Sequence, residues 1–199
     1  MELLNIFSKQ HFGNLHVPQI PTRQGNGIIT CEIVKDDLEV GRLILEHSKD
    51  IPKNNVLVIS PISTKKYNTD KIVTCFRQDC SNYNKSCQVI GDNVKYNPLE
   101  PTIYIGNSCN LKGTERISVS LIQGDIPYEN YNIKKRELIR FIFVALSRAQ
   151  NNLHIIVSNK LRENGVLSCL SKFLDIKTRT IKQQKHRIPT TLSVTDDLL

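Results

Sequence analysis

The chain has 199 residues, a net charge of +8 and a pI near 9.2, with 39% hydrophobic and 23% charged residues. That size and mixture suit one soluble globular domain with a core of its own, and no apolar run approaches the roughly 20 residues of a membrane-spanning helix. The opening MELLNIFSKQHF lacks the basic-then-apolar order of a signal peptide, so an intracellular protein is expected, and the basic balance favours an anionic partner, nucleic acid first.

Residues 1–27 start with an amphipathic helix and pass into the Pro/Gly/Gln connection VPQIPTRQGNG, which carries turn chemistry at Gly25-Asn26-Gly27. Residues 28–34 read as a strand and 35–50 as a helix, with Leu38, Arg42 and Leu45 on one side. Asp36-Asp37-Leu38-Glu39 opens that helix, so its carboxylates suit a helix start better than a magnesium site. The run NVLVIS (55–60) is apolar throughout at strand length, as a strand covered on both faces requires. Pro61 ends it.

A short helix is predicted over 70–80, a strand over 86–90, a polar loop over 92–101, and strands over 102–105 and 117–122. Asn132 can cap a helix running from 133 to about 150, followed by a strand over 153–157 and a final helix over 161–174. There is no internal repeat. Alternating strands and helices with apolar strands predict an α/β domain with a mainly parallel sheet. The expected layout is a helix and linker over 1–27, the domain over 28–175, and a basic tail over 176–199. Lys172, Lys177, Arg179, Lys182, Lys185 and Arg187 stand against Asp175 alone, a charge run that suits a phosphate backbone or a solvated tail equally.

The six cysteines form no CxxC pair, and the spacing of Cys75, Cys80 and Cys87 matches no zinc pattern, so reduced, mostly buried thiols are expected. His154 lies within the apolar run NLHIIVS and reads as a strand side chain rather than a ligand. No metal is assigned.

Two segments carry chemistry. In Leu-Lys-Gly-Thr-Glu (111–115), Gly113 permits close backbone approach, Glu115 can accept hydrogen bonds from a sugar hydroxyl, and Lys112 can contact phosphate. Val-Ala-Leu-Ser-Arg-Ala (144–149) closes a helix whose body, RFIFVAL, is apolar almost all round and therefore reads as buried. Arg148 there can fork onto a phosphate, or end the helix dipole, or pair with a carboxylate such as Glu137. In a parallel sheet ligands gather at the carboxyl ends of the strands, and both segments are expected there.

Taken together, the two segments resemble motifs V and VI of superfamily 1 helicases of the UvrD/Rep type, in their second RecA-like domain. Lys112-Gly113-Thr114-Glu115 resembles the K-G-x-E of motif V, and Phe143 to Ala149 resembles the Y-V-A-x-T-R-A of motif VI. Phe143 stands where tyrosine is common and Ser147 replaces threonine while keeping the hydroxyl. Cys109 stands where the family has histidine or threonine. Residues 110–158 hold both motifs, about a quarter of the chain.

The resemblance implies a RecA-like (P-loop NTPase-type) fold, and Arg148 as a catalytic arginine finger toward the γ-phosphate of ATP. It implies Glu115 at the ribose with Gly113 beside it, and Ser108, Asn110 and Lys112 near single-stranded nucleic acid, DNA by family habit. The cofactor is ATP with Mg2+. No G-x-x-x-x-G-K-[ST] occurs, so a partner or missing domain bearing the Walker A loop has to hold that ATP. On the same resemblance the chain begins inside the second domain, after motif IV, and does not hydrolyse ATP alone. A second reading is a non-catalytic nucleic-acid-binding or interaction module derived from a truncated helicase.

Overall fold

The run VLVI forms strand β2 (Val56–Ile59) with all its residues buried, and the alternation of a strand shows why each of them is apolar. Leu57 and Ile59 enter one hydrophobic cluster and Val56 and Val58 the other, so the sheet is covered on both faces. The structure, a computed structural model, describes residues 2–13, 27–61, 70–90, 94, 97, 99–107, 110–111, 114–122, 134–158, 163, 165–172 and 176–179.

The other elements are α1 (Glu2–Phe12), β1 (Ile28–Val34), α2 (Asp37–His47), α3 (Lys71–Asn82), β3 (Cys87–Val89), β4 (Ile103–Gly106), β5 (Arg116–Ile122), α4 (Lys135–Leu146), β6 (Ala149–Ser158) and β7 (Ile176–Arg179). The strands make one seven-stranded sheet in the order β3-β4-β2-β5-β6-β1-β7, and every pairing is parallel. Helices α1 and α4 cover one face, where Leu3, Leu4, Phe7, Leu138, Ile142 and Ala145 meet Tyr104, Val119, Leu121, Leu153 and Ile155. Helices α2 and α3 cover the other, where Val40, Leu43, Ile44, Val73 and Phe76 meet Ile103, Ile105, Ile122 and Ile156. The predicted α/β class is the one observed.

Local chemistry sets the helix starts. Asp36 caps α2, its Oδ1 accepting from the Leu38 N–H at 3.1 Å, and Asp70 caps α3 by accepting from the Val73 N–H at 3.0 Å. The carboxylates at 36–39 are therefore helix-start residues, as their sequence position implies. Helices α2 and α3 pack closely at Gly41, where an added Cβ would lie 2.9 Å from the Phe76 Cα and 2.6 Å from the Asp79 Oδ2.

Four boundaries differ from expectation. Helix α4 stops at Leu146 instead of near 150, because residues from Ala149 onward pair with β5; β6 therefore starts earlier than predicted. The helix is also buried on one face only: Leu138, Ile142, Ala145 and Leu146 are covered, whereas Phe141, Phe143 and Val144 are half-buried and Arg140 is exposed. In place of a helix over 161–174, the described residues 165–172 form turns around a 3-10 segment, Ser168–Leu170, that packs on α1. Residues 176–179, expected to open the tail, form β7 beside β1. The cap expected at Asn132 lies outside the described residues; the Glu137 carboxylate accepts from the Lys134 N–H at 3.3 Å at the start of α4.

A buried polar cluster interrupts the α2/α3 face. Thr30, His154 and Ser120 lie in register across β1, β6 and β5. Thr30 Oγ1 and His154 Nδ1 hydrogen-bond at 2.9 Å, and His47 from the end of α2 stacks on His154 with ring centroids 4.0 Å apart. His47 Nε2 in turn pairs with Glu32, which is 1% exposed. His154 is thus a strand side chain, as its place in an apolar run suggests. Burial first, and the neighbouring His47 second, pull its pKa down from 6.5 to about 4.

Two predictions follow from this packing. Gly41→Ala forces α2 and α3 apart and lowers stability by about 1–3 kcal/mol, measured as a drop in the urea midpoint with little change in slope. The unfolded chain takes up a proton on His154 below about pH 6.5, whereas the folded chain resists it until about pH 4. Stability from this group is therefore complete above pH 6.5 and falls as the pH drops toward 4, by up to about 3 kcal/mol. Urea titrations of the wild type and of His154→Gln across that range should show the loss in the first and a shallower one in the second.

Candidate nucleotide half-site at the amino edge of the sheet

The connection from β4 to β5 passes from one edge of the sheet to the other. At the carboxyl edge, the Asn110 N–H donates to Asn107 O and Oδ1, each at 3.1 Å, and Asn110 Nδ2 donates to Ile90 O at 3.2 Å. Leu111, fully buried, packs against Gly106 at the end of β4, where an added Cβ would lie 3.3 Å from its side chain. Thr114 then closes a turn onto the Leu111 carbonyl through its N–H at 3.2 Å and its Oγ1 at 2.6 Å. The chain emerges at the amino edge, with Glu115 exposed immediately before β5.

Arg148 reaches the same edge from the other direction. Ser147 ends α4, its Oγ donating to Val144 O at 2.7 Å, and Arg148 stands between that end and β6. The Arg116 N–H donates to Arg148 O at 3.0 Å, and Arg116 is in register with Ala149. Glu115 and Arg148 are therefore brought side by side along the backbone, at the amino ends of β5 and β6. The expectation that these residues fall at the carboxyl ends is corrected: both follow a crossover and precede a strand, and in a parallel sheet that is the amino edge.

Arg148 is half-buried, and among the described residues its guanidinium engages only its own turn. Nε donates to Val144 O and Ser147 Oγ, both at 3.3 Å, and Nη2 to Ser147 Oγ at 3.1 Å. It makes no ion pair among the described residues. Glu137, the carboxylate considered as its mate, is occupied at the opposite end of α4, about 15 Å away at 1.5 Å per residue. Donors thus remain for an anion. Arg116 is a further cation here that the sequence reading passed over; its only signal was its place directly after Lys-Gly-Thr-Glu. Its Nη1 donates to the Glu115 carbonyl, and burial pulls its pKa below the usual arginine value.

Ser108, Cys109, Lys112 and Gly113 lie outside the described residues. Among the residues read as facing nucleic acid, Asn110 is exposed and spends its side-chain amide on the end of β3. It also stands at the opposite sheet edge from Glu115 and Arg148. Among the described residues no group of His, Cys, Asp and Glu could hold a metal ion, and no helix is long and apolar enough to cross a membrane.

Neither a family model nor a curated protein sequence matches the chain. A solved structure does: the C-terminal domain of a possible DNA helicase from Lactobacillus plantarum, at 15% identity and a TM-score of 0.59, over 89% of this chain and 96% of that one. The E. coli DEAD-box protein SrmB, bound to regulator of ribonuclease activity A, aligns over 80% of this chain and 93% of that one, at 14% identity and a TM-score of 0.43. The first likeness gives the fold: the chain is an α/β domain of the kind seen in RecA-like helicase C-terminal domains.

Because, among the described residues, the Arg148 side chain bonds only to its own turn, Arg148→Ala should change the thermal unfolding free energy by under about 1 kcal/mol. A larger loss in calorimetry would make this arginine a structural helix terminator instead of a ligand-facing group.

Proposed function

We propose that the chain is the C-terminal half of a superfamily 1 helicase motor, working inside the cell on single-stranded DNA. The observation that carries this reading is the Arg116–Arg148 backbone bond, which sets Glu115 beside Arg148 while Arg148 has no carboxylate mate among the described residues. Glu115 and Arg148 then complete an ATP site whose phosphates are held by a Walker A-bearing partner domain.

The residues fit half of such a site. An exposed carboxylate can accept from the ribose hydroxyls, with Gly113 letting the backbone come close. A guanidinium with donors to spare can stabilise charge on the equatorial oxygens of the γ-phosphate as it transfers. ATP with Mg2+ supplies the phosphoryl group and the free energy of the cycle. Ser108, Asn110 and Lys112, early in the β4–β5 connection, are the proposed contacts to the DNA strand.

The test mixes the chain with a purified Walker A-bearing superfamily 1 helicase domain, single-stranded DNA and Mg-ATP. ATP hydrolysis should rise above that of either component, and Arg148→Ala should remove the gain by about 10³-fold. No gain, or a gain indifferent to Arg148→Ala, overturns the motor reading. Salt-sensitive DNA binding that ignores both ATP and Arg148→Ala would instead mark a non-catalytic binding module.

A further inference from the structure

Helix α3 ends in a tight reversal. Asn84 adopts a left-handed φ of 52°, its N–H donates to Ser81 O at 3.0 Å, and the Lys85 N–H donates to Cys80 O at 2.7 Å. These are the paired bonds of a Schellman turn with asparagine in the left-handed position. The reversal returns the chain along the last turn of α3 and starts β3 at Cys87. There the Cys87 side chain meets that of Cys80, and both cysteines pack in the α2/α3 cluster.

The two sulfurs differ in access. Cys80 is 1% exposed, whereas Cys87 lines an open groove of about 490 Å³ together with Thr74, Arg77, Gln78, Ser81 and Lys85. Among the described residues the groove has no carboxylate in its wall, and its size admits a small polar oxidant. Asn110, Glu115 and Arg148, the described residues among those proposed for ATP or DNA, do not line it. Among the described residues β3 is an edge strand, held to the sheet through β4 alone.

We propose that Cys80 and Cys87 form a redox pair, in which peroxide reaching Cys87 through the groove leads to a disulfide that fastens α3 to edge strand β3. In the first step the Cys87 sulfur attacks one oxygen of hydrogen peroxide. The O–O bond breaks, a sulfenic acid forms, and the other oxygen leaves as water with the thiol proton. In the second step the Cys80 sulfur attacks the Cys87 sulfur, the S–O bond breaks, and the hydroxide takes the Cys80 proton to leave as a second water. Two electrons pass from the thiol pair to the peroxide. The Cys80 contact and burial push the Cys87 pKa up, so thiolate is scarce and the first step is slow.

Trypsin gives a direct readout, because Lys85 lies between the two cysteines. The reduced full chain is treated with excess hydrogen peroxide, its remaining thiols are blocked with N-ethylmaleimide, and it is digested without reductant. QDCSNYNK (78–85) should be recovered joined to SCQVIGDNVK (86–95), lighter by two hydrogen atoms than the two free peptides together, while IVTCFR (72–77) carries its blocking group. Cys87→Ser should abolish the linked species, and Cys80→Ser should leave a Cys87 sulfenic acid that dimedone traps. The oxidised wild type should melt several degrees higher, as a loop closure predicts. Recovery of the two wild-type peptides singly blocked, or of Cys87 as a sulfinic acid beside a Cys80 thiol, overturns the proposal. The wild-type map decides this even if a variant fails to fold.

Discussion

The parallel pairing of β5 with β6 joins residues 116 and 149 across α4 and its flanks, and the amino edge of the domain is built around that join. A parallel pair cannot be closed by a tight turn, so the chain must leave the carboxyl end of β5, cross one face as a helix and re-enter at the amino end of β6. Arg148 is the last residue of that crossover. Glu115 is the last residue of the preceding one, which passes from β4 to β5 without a helix among its described residues. The Arg116 N–H on the Arg148 carbonyl therefore fixes the backbones at 115–116 and 148 together, with Glu115 exposed and Arg148 half-buried beside it.

The sheet behind that edge is covered on both faces. Alternate residues of β2, β4, β5 and β6 feed two separate hydrophobic clusters, and the described residues supply two α-helices to each. Burying one leucine of the Leu57 kind is worth roughly 2 kcal/mol. Against that apolar background the Glu32–His47–His154–Thr30 cluster is costly to bury and holds together through its own partners. It joins the end of α2 to the centre of the sheet with groups of defined geometry, in a way that greasy contacts alone do not specify.

Much of this was readable in advance. Strand β1 matches its predicted limits, β2, α3, β3 and β4 fall within a residue or two, and α2 is three residues shorter at its end than predicted, because period, turn residues and Asp caps act over a few neighbours. The misreadings are places where a distant partner overrode a local pattern. Residues 147–150 look like the end of an apolar helix, yet a pairing with β5, contributed from more than 30 positions earlier, makes 149 and 150 a strand start after a turn at 147–148. Residues 176–179 look like basic tail until β1 supplies an edge to bind them.

The candidate site shows the same division. The sequence by itself determined the chemical inventory: a Lys-Gly-Thr-Glu run, a Ser-Arg pair after an apolar helix, and no phosphate-cradling loop. It also determined an α/β sheet covered on both faces, since hydrophobic alternation is a local property of the chain. Only the tertiary structure decided which sheet edge those residues occupy, that Arg116 joins them, that Arg148 meets no carboxylate among the described residues, and that Cys80 lies against Cys87. Those facts depend on strand order and register. Register is fixed by the summed fit of many distant side chains, and no window of neighbouring residues contains it.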